Sequence, residues 1–185
     1  MAIHESIGYA DYALKRFFQT ASKMEWFKNT LFVFTADHTT EAYHDIYKSK
    51  SQLYSVPIIF FKPDSVLKKI SNKTAQHTDI MPTILVLLNF DKDYLAFGHS
   101  LLDTSDSYFS VNYCDGIYQI IYGKYLLTFN GKESLALYNI EKDKFLQNNI
   151  INSTDILLKN EIENLLKAYI QSYQYRMVNN KFTID

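Results

Sequence analysis

The 185-residue sequence contains little cysteine, glycine or proline, with one, five and three residues of each. A single cysteine, Cys114, cannot form an intramolecular disulfide, and the composition excludes a collagenous or disordered chain. No apolar run approaches the roughly 18 residues that cross a bilayer, and the N-terminus lacks a basic-then-apolar signal pattern. We therefore expect the chain as given to be soluble and to fold around a hydrophobic core.

The sequence also lacks an excess of either charge, since its formal net charge is -1 at pH 7. Binding to a phosphate backbone needs a concentrated basic surface. The 15 tyrosines are spread along the chain instead of alternating with lysine and arginine, which argues against a base-stacking platform. Nucleic acid is therefore not an expected partner.

Residues 1 to about 105 have the pattern of an α/β core. Apolar residues recur at steps of four and three over residues 3–21, which predicts an amphipathic helix packed on a sheet. The β-forming run at residues 31–34 predicts a fully buried strand, and the run at 56–61 predicts a neighbouring buried strand. Helix, strand, loop, strand is the order of an α/β architecture.

Residues 106–185 have a different pattern, which predicts an α+β subdomain. Four short β-type runs over residues 108–140 are separated by Asp115-Gly116, Gly123-Lys124 and Asn130-Gly131, all of which are turn signals. An antiparallel meander is therefore expected. Apolar residues from Ile156 to Ile170 then recur at helical spacing and predict a second long helix.

Two polar residues, Asp37 and His38, follow the first predicted strand directly. The carboxyl ends of strands in open α/β sheets are where ligands bind. A carboxylate oxygen and an imidazole nitrogen together suit Mn²⁺ or Zn²⁺, whereas Mg²⁺ is less suited to imidazole. The alternative is that Asp37 caps the following turn and His38 is an ordinary loop residue.

Several segments, in this order, resemble the sulfatase and lipoteichoic-acid-synthase branch of the alkaline phosphatase superfamily. The first three are Thr-Ala-Asp-His at 35–38, Val-Pro-Ile-Ile at 56–59 and His-Thr-Asp-Ile-Met-Pro-Thr-Ile-Leu at 77–85. Phe-Gly-His-Ser-Leu-Leu at 97–102 is similar to a later family segment. Leu-Tyr-Asn-Ile at 137–140, with Asp143 and Asn149, is similar to the signature near sulfatase C-termini.

The resemblance implies an alkaline-phosphatase-like core and a metal-dependent hydrolase or transferase acting on a sulfate or phosphate ester. It implies that Asp37 and His38 are ligands of a divalent metal, whether Mn, Zn, Mg or Ca. Any one of these motifs is weak, and together they are specific for the superfamily but not for one substrate.

The other histidines have more than one interpretation. His77 precedes a predicted helix N-terminus. The resemblance implies a contact to a substrate oxygen, support of a neighbouring ligand or metal binding, and the alternative is a hydrogen-bonded histidine at a helix entry. His44 lies in the polar loop after the metal pair and either contacts the substrate or is an exposed loop histidine. Asp79 is interpreted as a helix cap, and no chemistry is assigned to His4 or His99.

Two features of the family have no counterpart in this sequence. Relatives carry a nucleophilic Thr, Ser or modified Cys and an earlier acidic metal ligand in their N-terminal half. Cys114 lacks the Cys-x-Pro-x-Arg context of the sulfatase nucleophile. We therefore expect a C-terminal fragment that is inactive alone and whose partner is the missing N-terminal half of the same chain.

The parent protein is expected to be extracytoplasmic and anchored in the cytoplasmic membrane through that missing region. Two rival hypotheses remain open. The parent is a phosphoglycerol transferase of the lipoteichoic-acid-synthase type, or the chain is a non-catalytic binding module that keeps the fold without the chemistry.

Overall fold

The computed structural model describes residues 2–39, 45–49, 52, 54–64, 69–104 and 108–184. The chain divides into two compact units. The first unit comprises Met1–Asp37 and Val56–Ser71, and the second comprises His38–Ser55 and Asn72–Asp185. The predicted division of the sequence at about residue 105 stays a prediction.

Among its described residues, the first unit has one long helix, a 3₁₀ turn at Phe27–Asn29 and two short strands. Helix α1 spans Ala2–Ala21, strand β1 spans Phe32–Phe34 and strand β2 spans Ile59–Phe61. The two strands pair antiparallel, with Val33 opposite Phe60. The phenyl ring of Phe18 in α1 lies 5.2 Å from the ring of Phe32 and 5.7 Å from that of Phe61. Helix α1 therefore packs on this strand pair through aromatic contacts, as predicted.

The prediction that both strands are fully buried is wrong. The residues of β1 are half-buried, and Ile59 and Phe61 in β2 are 50% and 39% exposed. The apolar face of α1 is also open, with Ile7 at 59% and Phe17 at 46% exposure. The physical reason is that this sheet has only two strands, and such a pair offers few side chains with which to cover an apolar face.

A short helix precedes the sheet of the second unit. A 3₁₀ turn at His77–Asp79 leads into helix α2 at Ile80–Leu87. A second 3₁₀ turn spans Asp45–Lys48. The predicted helix after the His-Thr-Asp segment is therefore present, with Pro82 buried in its first turn, where the missing N–H breaks no internal bond.

The predicted meander forms a four-stranded antiparallel sheet in the order β3-β4-β5-β6. The strands span Phe109–Cys114, Ile117–Tyr122, Tyr125–Phe129 and Ser134–Asn139. The connection between β3 and β4 has positive φ at Asp115 and Gly116, 52° and 82°. That pair of angles belongs to the tight hairpin turn that an Asp-Gly dipeptide favours.

Helix α3, Ile156–Val178, covers one face of this sheet. Asp155 caps its N-terminus by accepting a hydrogen bond from the backbone N–H of Leu157 at 2.9 Å. The core between helix and sheet consists of fully buried aliphatic side chains from both elements, namely Ile120, Leu127, Leu137, Ile162 and Leu166. The long helix ends eight residues beyond Ile170, where the periodicity of apolar residues ends, because its last two turns are mostly exposed.

The segment between β6 and α3 is held by side chains that bind backbone N–H groups. The carboxylate of Asp143 accepts hydrogen bonds from Asn148 at 2.7 Å and Gln147 at 3.1 Å. These bonds hold the pKa of Asp143 below its ordinary value. Asn149 Oδ1 accepts from Leu137 at 3.0 Å, so the two residues that resemble the family's C-terminal signature have structural roles.

Within the described part of the chain, no helix combines the length and apolarity needed to cross a membrane. The two helices long enough to be considered are both interrupted by charged side chains. Glu5, Asp11 and Arg16 lie in α1, and Glu161 and Lys167 lie in α3.

Candidate functional site

Asp37 and His38 lie three and four residues beyond the end of β1, and both are exposed. His38 Nδ1 lies 2.6 Å from the backbone carbonyl oxygen of Thr39. A carbonyl oxygen can only accept, so Nδ1 must carry the proton of the neutral ring. The lone pair therefore resides on Nε2, which is the arrangement found where a histidine binds metal and its other nitrogen donates to a backbone carbonyl.

The donor set of these two residues fits part of a site for a divalent metal. A carboxylate oxygen and an imidazole Nε2 are both common ligands of Zn²⁺ and Mn²⁺. No three His, Cys, Asp or Glu side chains form a metal-binding group among the described residues. Two ligands are fewer than the four protein or solvent ligands that a zinc site has.

The other two predicted site residues have different outcomes. His77 is the exposed first residue of the 3₁₀ turn before α2, which agrees with its predicted place at a helix entry. His44 lies outside the described residues. Asp37 belongs to the first unit, whereas His38 and His77 belong to the second. The substrate roles of His77 and His44, and the metal role of Asp37 and His38, stay predictions.

Asp79 is fully buried and organises the turn that carries His77. Its Oδ2 accepts a hydrogen bond from the backbone N–H of Gln76 at 2.9 Å. Its Oδ1 accepts from the backbone N–H of His99 at 3.0 Å. The residue interpreted as a helix cap from the sequence therefore closes the turn and also ties it to a loop 20 residues further along the chain.

A second bridge between the same two segments passes through Thr83, which is 1% exposed. Its hydroxyl donates to the backbone carbonyl of Asp79 at 2.6 Å and accepts from the N–H of Leu101 at 2.9 Å. Gly98 lies so close to Thr78 O and Asp79 Oδ1 that a Cβ atom would overlap both. Segments 77–85 and 97–102 are thus interlocked, which explains why a polar helix residue and a glycine stand at these positions.

Tyr169 of α3 also contacts the turn that carries His77. Its hydroxyl forms a hydrogen bond with the side chain of Thr78, and its ring lies 6.0 Å from that of Phe97 and 5.9 Å from that of Phe109. Burial is the largest cause of its raised pKa. Nothing in the local sequence distinguishes Tyr169 from the other tyrosines, because its partners are roughly 60 to 90 residues away.

The side chain of His99 packs beside Asp79 and Tyr108, and its Nε2 atom is buried. Its ring lies 4.9 Å from the ring of Tyr108, and Nδ1 lies 3.8 Å from Asp79 Oδ1. Its Nε2 is a buried atom that has no hydrogen-bond partner among the residues the structure describes, and the same holds for Nε2 of Gln76. Both nitrogen atoms lie in the tightly packed surroundings of Asp79. No chemistry is assigned to His99 from the sequence.

The chain is similar to known proteins in sequence and in fold. Residues 2–90 match a family model described as Sulfatase. A crystal structure of a protein in the alkaline phosphatase superfamily from Vibrio parahaemolyticus superimposes with a TM-score of 0.75 at 19% sequence identity. The match covers 96% of this chain and 42% of that chain, so this chain spans less than half the length of that relative. No curated protein matches the sequence.

Proposed function

We propose that this chain is part of a metal-dependent ester hydrolase or transferase of the sulfatase-like kind, because residues 2–90 match the Sulfatase family model and its α/β fold is similar to that of an alkaline phosphatase superfamily protein. The reaction proposed is cleavage of a sulfuric or phosphoric ester. Asp37 and His38 would be ligands of the metal, and His77 in the turn before α2 would contact the substrate.

The observation that carries this proposal is the hydrogen bond between His38 Nδ1 and Thr39 O. In the neutral ring this bond places the lone pair on Nε2, and the exposed residue Asp37 precedes His38 in the chain. A divalent metal bound there would polarise an ester oxygen and neutralise charge that develops on it. Asp37 would hold the cation through a carboxylate oxygen, and the Thr39 carbonyl would keep the His38 ring oriented.

His77 would contact an ester oxygen from its exposed position in the 3₁₀ turn. The turn that carries His77 is held by buried neighbours, because Asp79 and Thr83 form hydrogen bonds with His99 and Leu101. A fixed turn reduces the entropy lost when a substrate binds, which is the usual contribution of a buried network under a site.

The described part of the chain holds no complete metal site, and the chain spans 42% of its superfamily relative. We therefore propose that further ligands and the nucleophile come from additional polypeptide and that the chain alone does not turn over substrate. A partner of this kind would explain the exposed apolar face of α1 and the half-buried strand pair.

Calorimetric titration tests the ligand assignment. Mn²⁺ or Zn²⁺ should bind the wild-type chain weakly, and Asp37→Ala or His38→Ala should weaken binding about tenfold or more, because each removes one of two ligands. Asp93→Ala is the matched control, since Asp93 is exposed and lies in a different loop. Equal metal binding by Asp37→Ala and the wild type would contradict the assignment.

An assay on aryl sulfate and aryl phosphate esters tests the incompleteness of the chain. No turnover is expected above the uncatalysed rate with either ester. Turnover that disappears in Asp37→Ala would support the metal role and overturn the proposal that the nucleophile lies in additional polypeptide.

A further inference from the structure

An open groove of about 660 Å³ runs between the second half of α3 and the meander sheet. One wall is a single face of α3, on which lining residues recur at helical spacing, namely Lys167, Gln171, Gln174 and Val178. At 1.5 Å rise per residue, this wall is roughly 17 Å long. That length accommodates about five residues of extended polypeptide, which rises about 3.3 Å per residue.

The groove is positively charged. Its lining residues include two lysines and no aspartate or glutamate. Lys132 is exposed in the turn between β5 and β6, and it forms no ion pair with any residue that the structure describes. Lys167 forms an ion pair with Glu163, and its ammonium lies 5.4 Å from the centre of the Phe129 ring, so it is held in the groove wall. The groove therefore complements a ligand with negative charge, mainly through Lys132.

Large apolar side chains are also exposed in this groove. Val178 is 84% exposed and Tyr175 is 56% exposed. An aliphatic or aromatic side chain of a ligand would cover these surfaces and remove them from water. A polysaccharide presents hydroxyl groups and ring faces but no aliphatic side chain, so it would leave Val178 uncovered. The apolar surface therefore favours a polypeptide as the ligand.

Primary amides line the helix wall between Lys167 and Val178. Gln171 and Gln174 are both exposed there. Each side-chain amide has two N–H donors and a carbonyl acceptor. An extended peptide has backbone N–H and C=O groups that need partners, and a glutamine side chain can pair with either. The groove thus offers partners for the backbone of a peptide as well as for its side chains.

We propose that this groove is a docking site for an extended segment of a protein partner in which acidic residues alternate with apolar ones. Its acidic side chains contact the two lysines, its backbone contacts the two glutamine amides, and its apolar side chains cover Val178 and Tyr175. Asp37, His38 and His77 do not line the groove, so this inference is independent of the proposed function.

Two-dimensional amide NMR of the full chain with a synthetic heptapeptide pool tests the proposal. In this acidic pool, glutamate alternates with valine, leucine or tyrosine, and in the reference pool glutamine replaces every glutamate. Side-chain amide peaks of Gln171 and Gln174 should shift with the acidic pool. The reference pool should bind at least about threefold more weakly, because it carries no charge that pairs with the lysines. Raising the salt concentration should weaken binding of the acidic pool.

Matched variants locate the binding surface. Lys132→Glu should weaken binding of the acidic pool about fivefold, because it reverses a charge in the groove. Lys144→Glu reverses an exposed lysine outside the groove and should change affinity less than about twofold. Val178→Ser should weaken binding about threefold by removing an apolar contact, whereas Leu157→Ser, at an exposed leucine outside the groove, should not. Unchanged thermal unfolding of each variant shows that the groove remains folded.

Each of the following outcomes would overturn the proposal. The glutamine peaks do not shift with the acidic pool, or they shift equally with both pools. Lys132→Glu and Lys144→Glu weaken binding equally. Dextran sulfate shifts the groove peaks and the acidic pool does not, which would make the ligand an anionic sugar polymer. The peaks shift with protein concentration alone, which would place a second copy of this chain in the groove.

Discussion

Gly98 and Asp79 show how single residues position the candidate site. The carboxylate of Asp79 is fully buried, and both of its oxygens accept backbone N–H groups. Gly98 passes close enough to this carboxylate that no side chain fits. A buried carboxylate is costly unless its lone pairs are satisfied, so the close passage of the chain at Gly98 is what makes Asp79 tolerable there.

Gly98→Ala should therefore destabilise the second unit by at least about 2 kcal/mol, because the new methyl group either overlaps Thr78 and Asp79 or breaks the bonds between the two segments. The free energy of unfolding in urea measures this. Gly8→Ala is the matched control. A Cβ atom at Gly8 meets nothing within 4 Å, and alanine in helix α1 should stabilise by up to about 1 kcal/mol. Equal effects of the two substitutions would contradict the interlock.

Helix α3 is the element that joins the candidate site to the meander. Its face with Ile162 and Leu166 forms the core of the second unit, and Tyr169 on the same helix reaches Thr78 beside His77. The opposite face of α3 is exposed. A helix with one apolar stripe gains its stability from burial of that stripe more than from its intrinsic propensity.

Leu166→Ala and Leu157→Ala test this directly, since both residues are leucines of α3. Leu166 is 0% exposed and Leu157 is 73% exposed. The Leu166 substitution should cost about 2–5 kcal/mol of unfolding free energy, because it leaves a cavity in the core. The Leu157 substitution should change stability by about 0.5 kcal/mol or less. Thermal or urea unfolding measures both, and similar losses would show that α3 does not pack as described.

The two units of the molecule differ in how much apolar surface they bury. The large apolar side chains that are fully buried among the described residues all lie in the second unit. Among the described residues of the first unit, the buried hydrophobic residue is Ala21. The aromatic rings clustered around Phe18 are only partly buried. Since burial of apolar area is the main favourable contribution to folding, the first unit should be the less stable one.

Urea unfolding followed by two probes tests this difference. The chain contains one tryptophan, Trp26, whose ring lies 6.4 Å from that of Phe32 in the first unit. Its fluorescence should change at a urea concentration at least about 1 M below the midpoint reported by amide NMR peaks of Leu127. Trp26→Phe should leave the Leu127 transition unchanged. Equal urea midpoints for Trp26 fluorescence and the Leu127 amide peak would show that the two units unfold together in one cooperative transition.

Much of the architecture could be predicted from local patterns. The meander was predictable because Asp-Gly and Asn-Gly turns punctuate alternating β-type runs, and α1 and α3 were predictable from helical periodicity. The burial of β1 and β2 was not, because a run of Phe and Val indicates a buried strand whether or not neighbouring strands are present to cover it. Periodicity reports which face is apolar and does not report what covers that face.

For this protein, the sequence by itself determined the family resemblance, the order of helices and strands, and the candidate metal pair Asp37-His38. Those depend on motifs and spacing within short segments. Only the tertiary structure decided that Asp79 and Thr83 bind the loop at residues 98–101 and that Tyr169 reaches Thr78. Hydrogen bonds and steric contacts between distant segments depend on how the chain packs, and no local pattern of residue types encodes those distances.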